Sequence, residues 1–158
     1  MAGAHLRLVD AFTDVPFRGN PAGVVALDED ASTEWMAALA QELCVSDTAF
    51  VVRSSSAGVD FGLRWFTPEA EVDLDGHATL AAAHCLLDDG AADPIRFLTR
   101  SGVLVVSRRS DGSLVMDFPS SPPTATDAST RDAGCTGSAH AALLLLVRGG
   151  SETGDRAG

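Results

Sequence analysis

The chain has 158 residues, of which 46% are hydrophobic and 21% are charged, as in a single globular domain. Its 22 acidic and 11 basic residues give a formal net charge of −11, so we expect neither nucleic acid nor an anionic membrane as a partner. No apolar stretch approaches the ~20 residues that cross a bilayer, and the N-terminus lacks a signal-peptide pattern, so we expect a cytoplasmic protein.

The first part of the chain shows both strand and helix patterns. Residues 5–10 alternate in polarity, and a turn-rich stretch over 14–23 separates them from a short apolar run at 24–27. Residues 32–43 carry apolar side chains at helical spacing behind a serine or threonine cap, which predicts an amphipathic helix. Two further strand patterns follow, at residues 48–52 and 59–66.

A second helix pattern covers residues 76–87, which are rich in alanine and apolar on nearly all sides. Such a helix must be surrounded by protein, and its small side chains would let a strongly curved sheet wrap closely around it. Three more strands are predicted in hairpins, at residues 95–99, 102–107 and 113–118.

The composition changes near residue 118. Residues 119–130 are rich in Pro, Ser, Thr, Ala and Asp, which is typical of a linker. Residues 131–147 contain another small-residue apolar pattern, which predicts a helix over 136–147, and residues 148–158 are expected to form a disordered tail. The predicted organisation is therefore one domain over residues 1–118, a linker, a residual helix and a tail.

Ionisable residues meet a predicted helix N-terminus at Asp75, Gly76 and His77. Free N–H groups and the positive dipole end at such a junction can hold a carboxylate or a developing enolate, and a glycine lets a ligand approach the backbone. A capping aspartate and a packed histidine would explain the same residues without any function. Residues 136–140 repeat the order of polar residue, glycine and polar residue before an apolar run, which indicates an internal repeat.

Six short blocks stand in the order found in the PhzF-like phenazine biosynthesis family, which this sequence resembles. The match is close over residues 5–118 and partial in the last predicted helix. The blocks are residues 9–13 (VDAFT), 17–25 (FRGNPAGVV), 46–50 (SDTAF), 63–68 (LRWFTP), 72–80 (VDLDGHATL) and 136–140 (TGSAH).

The resemblance implies an α+β, diaminopimelate-epimerase-like fold with two pseudo-symmetric halves and an active site between them. This chain would supply one half, a curved, mostly antiparallel sheet around the central Ala-rich helix, with a second outer helix. The implied activity is that of an isomerase that needs no cofactor and no metal. It would move a proton by general acid/base catalysis on a small unsaturated carboxylate similar to trans-2,3-dihydro-3-hydroxyanthranilate, in a biosynthetic pathway.

The resemblance also implies roles for individual residues. Asp47 matches the catalytic glutamate of the family, although its side chain is one methylene shorter. His77 matches a histidine that orients the substrate or assists proton transfer, and Asp75 stands where relatives often carry a cysteine. The residues expected to bind the substrate are Asn20, Gly76, Gly137 and Ser138. The three cysteines are expected to be buried fillers.

The second half of the implied fold is largely missing. Only 61 residues separate Asp75 from Thr136 (136 − 75), about half of what a second sheet needs. We therefore expect a homodimer in which each copy supplies one wall of the cleft. The alternative is a non-catalytic remnant that binds a small molecule or a partner protein. A third possibility is an altered coding sequence, with residues beyond Phe118 foreign to the fold.

Overall fold

The structure is a computed structural model that describes residues 3–118 and the backbone of residues 142–145. Within these residues, nine strands form one sheet and two helices pack against it. None of the described helices is long and apolar enough to cross a membrane. The elements are β1 (Ala4–Ala11), β2 (Asn20–Leu27), α1 (Thr33–Leu43), β3 (Asp47–Arg53), β4 (Phe61–Phe66), β5 (Glu71–Val72), α2 (Gly76–Asp88), β6 (Ile95–Thr99), β7 (Gly102–Arg108), β8 (Leu114–Asp117) and β9 (Ala142–Leu145).

The strands follow the order β1-β2-β3-β4-β6-β7-β8-β9, and β5 pairs with β4. The β2–β3 and β4–β6 pairs are parallel, whereas all other neighbouring pairs are antiparallel. Helix α2 packs against β1, β2 and β3 and also against β8, near the other end of the strand order. The sheet therefore curls around α2, and the expected mostly antiparallel sheet around a central Ala-rich helix is confirmed.

Helix α2 is buried on nearly every side, as its composition predicts. Ala78, Ala81, Ala82 and Ala83 are fully buried, and their small side chains let strands from both ends of the sheet approach the helix. Larger side chains from the strands complete this inner core, among them Leu63, Trp65, Phe97, Leu104 and Met116.

Helix α1 lies on the outer face of the sheet. It begins after Ser32, whose hydroxyl accepts a hydrogen bond from the backbone N–H of Trp35 at 3.2 Å, so the predicted cap is present. Met36 and Ala40, on one face of the helix, are buried. They pack on side chains of β2, β3 and β4, namely Val25, Phe50 and Phe66.

The predicted helix over residues 136–147 is wrong where the structure describes it. Residues Ala142–Leu145 form β9, which runs antiparallel to β8 with Leu114 opposite Leu145 and Asp117 opposite Ala142. The open edge of β8 offers unpaired backbone groups, and pairing them outweighs the weak helix preference of a short apolar run. The rest of that segment, the linker over 119–130 and the tail over 148–158 lie outside the described residues.

Smaller differences concern element ends and the cysteines. Strand β2 begins at Asn20, four residues before the predicted run, because it pairs along the full length of β1. The short strand β5 lies between the patterns predicted at residues 59–66 and 76–87, where the sequence predicted no strand. Cys85 is buried as expected, whereas Cys44, which follows the last turn of α1 with φ of 52°, is exposed. Cys135 lies outside the described residues.

Candidate functional site

The ionisable residues predicted for the site come from two neighbouring elements. Asp47 begins β3, and Ala49 and Val51, which follow it at intervals of two, belong to the core around α2. Because side chains alternate along a strand, Asp47 points to the same inner face. His77 lies in the first turn of α2, so both side chains meet at the N-terminal end of this helix.

The ring of His77 lies between two polar partners. Its Nδ1 is 3.0 Å from Oδ1 of Asp75, and its Nε2 is 3.1 Å from Oγ of Ser46. Oδ2 of Asp47 is 3.8 Å from the same Nε2. Only 8% of the His77 side chain is exposed, against 14% for Asp47 and 18% for Asp75, so the three groups interact with little solvent screening.

Asp75 has a structural and an electrostatic role at once. It precedes α2 with extended backbone angles, and its Oδ1 accepts a hydrogen bond from the N–H of Ala78 at 2.7 Å, which is the geometry of a helix N-cap. The same oxygen faces His77. The capping function therefore fixes a negative charge beside the histidine ring.

Burial and neighbouring charges shift the pKa values of the site. Burial raises the pKa of the Asp47 carboxyl and the charge of Asp75 raises it further, against smaller opposing effects of His77 and Ser46. Burial alone would lower the pKa of His77, but the hydrogen bond that His77 donates to Asp75 and the charges of Asp75 and Asp47 outweigh it and raise that pKa. The protonated forms of both side chains are thus stabilised, as in groups that exchange protons near neutral pH.

An aromatic side chain lies beside His77. The Phe12 ring is 6.2 Å from the His77 ring, centroid to centroid, in a tilted arrangement. Phe12, Val15 and Phe17, all in the segment between β1 and β2, are exposed by 43%, 48% and 97% and form an apolar rim on that segment. A side chain at Gly76 would come within 2.7 Å of Cζ of Phe118, which gives this glycine a packing reason that the sequence did not show.

The structure brings together Asp47, Asp75 and His77, the three predicted catalytic residues, but their catalytic roles stay predictions. Gly76 is the first residue of α2, beside them. Asn20 begins β2 and precedes Pro21, whose carbonyl accepts a hydrogen bond from Ser46. Gly137 and Ser138 lie outside the described residues.

Ser46 is a site residue that sequence reasoning did not single out. Its hydroxyl lies 3.1 Å from the His77 ring and 3.0 Å from the carbonyl of Pro21. The available signal was its position directly before Asp47 in the SDTAF block. A serine in a turn before a strand has an ordinary structural explanation, and this made the signal easy to pass over.

The same cluster has the residue types of a metal site, since ligand-type atoms of Asp47, Asp75 and His77 lie within 4.8 Å of one another. Both ring nitrogens of His77 already face polar partners at hydrogen-bond distance. A metal ion bound to the ring would have to displace one of these contacts.

Comparison with known proteins found a family match for this chain. The family model described as "Phenazine biosynthesis-like protein" (PhzC-PhzF) matches residues 9–139. A protein of Pseudomonas aeruginosa named as an uncharacterized isomerase is 53% identical over 117 residues, which cover 73% of this chain and 44% of the relative. Relatives in this comparison are thus named isomerases, without a stated substrate.

Solved structures give the same result for the fold. A phenazine biosynthesis PhzC/PhzF protein from Clostridium difficile matches with a TM-score of 0.69 and 42% identity over 81% of this chain and 49% of its own. A hydroxyproline epimerase from Agrobacterium vitis matches with a TM-score of 0.51 over 71% of this chain and 41% of its own. At 12% identity, that likeness concerns the fold alone.

The chain spans less than half the length of the curated relatives it matches, 44% of the Pseudomonas protein and 46% of an isomerase from Halalkalibacterium halodurans. The family model nevertheless covers most of this chain, and the order of the six blocks agrees with it. The chain belongs to the phenazine biosynthesis-like (PhzC-PhzF) protein family.

Proposed function

We propose that this chain supplies one wall of an isomerase site that moves a proton between two carbons of a small unsaturated carboxylate without a cofactor. The observation that carries the proposal is the buried cluster of Asp47, Asp75 and His77 at the N-terminal end of α2. A carboxyl with a raised pKa is suited to accept a proton from carbon and to return it.

Asp47 is the group proposed to carry the proton. Its carboxylate removes a proton from one carbon, the electrons of that C–H bond delocalise through the double bond toward the substrate carboxylate, and the same carboxyl returns the proton to another carbon. The step is redox-neutral and balanced, because only the double bond and one hydrogen change position. The intermediate is negatively charged. His77 is positively charged when its ring is protonated, and this charge stabilises the intermediate.

The N-terminal turn of α2 is proposed to bind the substrate carboxylate. The first backbone N–H groups of a helix lack partners within the helix, and Asp75 occupies only that of Ala78. The N–H of Gly76 and the side-chain amide of Asn20 are the expected donors. A substrate similar to trans-2,3-dihydro-3-hydroxyanthranilate has the required carboxylate and adjacent double bond.

A second copy of the chain is proposed to supply the other wall. The rim formed by Phe12, Val15 and Phe17 exposes large apolar side chains on the segment whose first residue, Phe12, lies beside His77, which favours a protein surface there over water. The chain spans less than half of its curated relatives, so a single copy contains less of the fold than they do.

The activity is tested by hydrogen exchange. The purified chain is incubated in D₂O with a panel of small unsaturated carboxylates that includes trans-2,3-dihydro-3-hydroxyanthranilate, and deuterium uptake at carbon is followed by NMR and mass spectrometry. We expect uptake with at least one of them and a further gain in the Asp47→Glu variant, whose side chain reaches one methylene further. If no compound exchanges with either protein, the chain is a non-catalytic remnant.

The dimer is tested by analytical ultracentrifugation across micromolar concentrations. We expect a dimer that the Phe17→Ser variant weakens, because Phe17 is 97% exposed in the same segment as Phe12. The matched control is Val103→Thr, which changes an exposed apolar residue on β7. A monomer at every concentration, or equal weakening by both variants, would contradict a dimer built on this rim.

A further inference from the structure

The partner of His77 on the Nδ1 side can only accept a hydrogen bond. Oδ1 of Asp75, 3.0 Å from Nδ1, belongs to a carboxylate that also accepts from the N–H of Ala78 at 2.7 Å. An ionised carboxylate only accepts hydrogen bonds. Nδ1 of His77 therefore carries a hydrogen.

The contact with Ser46 indicates that Nε2 of His77 also carries a hydrogen. The hydroxyl of Ser46 has one hydrogen, and the carbonyl of Pro21 accepts it at 3.0 Å. The carboxylate of Asp47 is the other neighbour of this hydroxyl, and in its ionised form it also only accepts. With the hydrogen on either of these two acceptors, Ser46 presents a lone pair to Nε2 at 3.1 Å, and Nε2 donates as well. A hydroxyl turned away from both acceptors and toward the ring is the arrangement that a neutral His77 would need.

We infer that Ser46 is a positioning residue that holds His77 as a doubly protonated imidazolium, because its own hydrogen is directed away to Pro21 or Asp47. With the Ser46 hydrogen so directed, a neutral ring would place a lone pair against an acceptor at one of its two nitrogens. No bond is made or broken in this arrangement. It sets which groups carry protons before any substrate arrives.

The surroundings of the ring support a cation. The elements packed against α2 are β1, β2, β3 and β8. Beside the ring they and their flanking residues place Phe12, the Pro21 carbonyl and Asp47, and Phe118 covers the adjacent Gly76. The titratable groups that face His77 among the described residues are thus Asp47 and Asp75, both acidic.

The consequence for catalysis rests on the proposed function. If His77 stays protonated at working pH, it is a fixed positive charge next to the substrate, and Asp47 alone exchanges the proton. The alkaline limb of the activity profile then reports the loss of the His77 charge, and removing the Ser46 hydroxyl moves that limb to lower pH.

The charge state is measured on the wild-type chain without substrate. In the ¹⁵N-labelled full chain at pH 7, we expect both ring nitrogens of His77 to show directly bonded hydrogens in long-range ¹H–¹⁵N spectra. The His77→Asn variant assigns the signal among the four histidines. A bare Nε2 at pH 7 would overturn the inference, since Ser46 would then be donating to the ring.

Variants of Ser46 test its part in this state. We expect Ser46→Ala to lower the pKa of His77 in an NMR titration, and Ser46→Thr, which keeps the hydroxyl, to restore it. Ser55→Ala, an exposed serine between β3 and β4, is the matched control and leaves the titration unchanged. An unchanged His77 titration in Ser46→Ala, or no rescue by threonine, would overturn the role of Ser46.

The two proposals fail separately. A doubly protonated His77 that depends on Ser46, in a chain that exchanges no hydrogen with any carboxylate, leaves this inference standing and rejects the isomerase. Exchange activity in a chain whose His77 is neutral would support the isomerase and reject this inference. Where activity is found, the alkaline limb of its pH profile should move to lower pH in Ser46→Ala and return in Ser46→Thr.

Discussion

The two ends of α2 each hold an acidic residue and a basic partner, yet they differ in what those pairs can do. At the N-terminal end, the His77 and Asp75 side chains are exposed by only 8% and 18%. At the C-terminal end, Arg7 donates to both carboxylate oxygens of Asp89, and these side chains are exposed by 45% and 51%. Water screens the second pair and not the first.

The C-terminal pair therefore has a structural purpose. Arg7 also donates to the backbone carbonyl of Cys85, at 3.3 Å, so a cation from β1 satisfies a carbonyl in the last turn of α2. Burial raises the pKa of the Cys85 thiol and keeps it protonated, so it is not a nucleophile. Similar residue types thus fasten the helix at one end and form the candidate site at the other, because of burial.

The largest expected effect is on the exchange rate, which should depend on the N-terminal end of α2 and not on its C-terminal end. We expect Asp47→Asn to lower the exchange rate by about 100- to 10,000-fold, the usual contribution of a general base. Since burial raises the pKa of Asp47, ionising it costs stability, and the amide should leave the free energy of unfolding unchanged or larger. Asp89→Asn should leave the exchange rate unchanged. Exchange rates are measured by deuterium uptake. Equal rates in the two variants would show that the ends of α2 do not differ in their part in the activity.

The pH dependence of stability is the next test. The folded-state pKa values of His77 and Asp47 are both raised, so each group stabilises the fold below its ordinary pKa, and this contribution disappears as the pH rises through the folded-state value. For His77 the loss begins above about pH 6.5. Urea unfolding should show stability falling there in the wild type and a flatter profile in His77→Asn. The same slope in both proteins would contradict the assignment.

Variants of the N-cap residue Asp75 should have an intermediate effect. They separate the contribution of its capping hydrogen bond from that of its charge. Asp75→Ala should cost about 0.5–2 kcal/mol of unfolding free energy, because the N–H of Ala78 loses its partner. Asp75→Asn keeps a capping oxygen and should cost less, while it lowers the pKa of His77 by removing the charge. Thermal unfolding and the NMR titration measure the two effects. If both variants destabilise equally, the carboxylate charge, and not the cap, supports the helix.

The smallest effect is expected at the C-terminal end. Arg7→Gln should cost about 0.2–1 kcal/mol, as is usual for an exposed ion pair, and added salt should reduce the difference. Urea titrations at low and high ionic strength make the measurement. A larger, salt-independent loss would show that the bond to the Cys85 carbonyl dominates.

Local patterns predicted most of the described fold. Alternation predicted β4, and the small apolar side chains of α2 predicted a buried central helix. Errors arose where the decision depends on a distant partner. Residues Ala142–Leu145 have an apolar run compatible with either helix or strand, and the edge of β8 made them a strand. The two-residue β5 depends in the same way on β4.

The candidate site shows the same division. The cap at Asp75, the buried helix behind it and the family could be read from the sequence, because these depend on local spacing and on the order of short blocks. The contacts of Asp47 and Ser46 with the His77 ring, about thirty residues away, follow from the folded structure instead. Hydrogen-bond polarity and pKa values depend on burial and on which atoms come within a few ångströms, and these follow from how the sheet curls around α2.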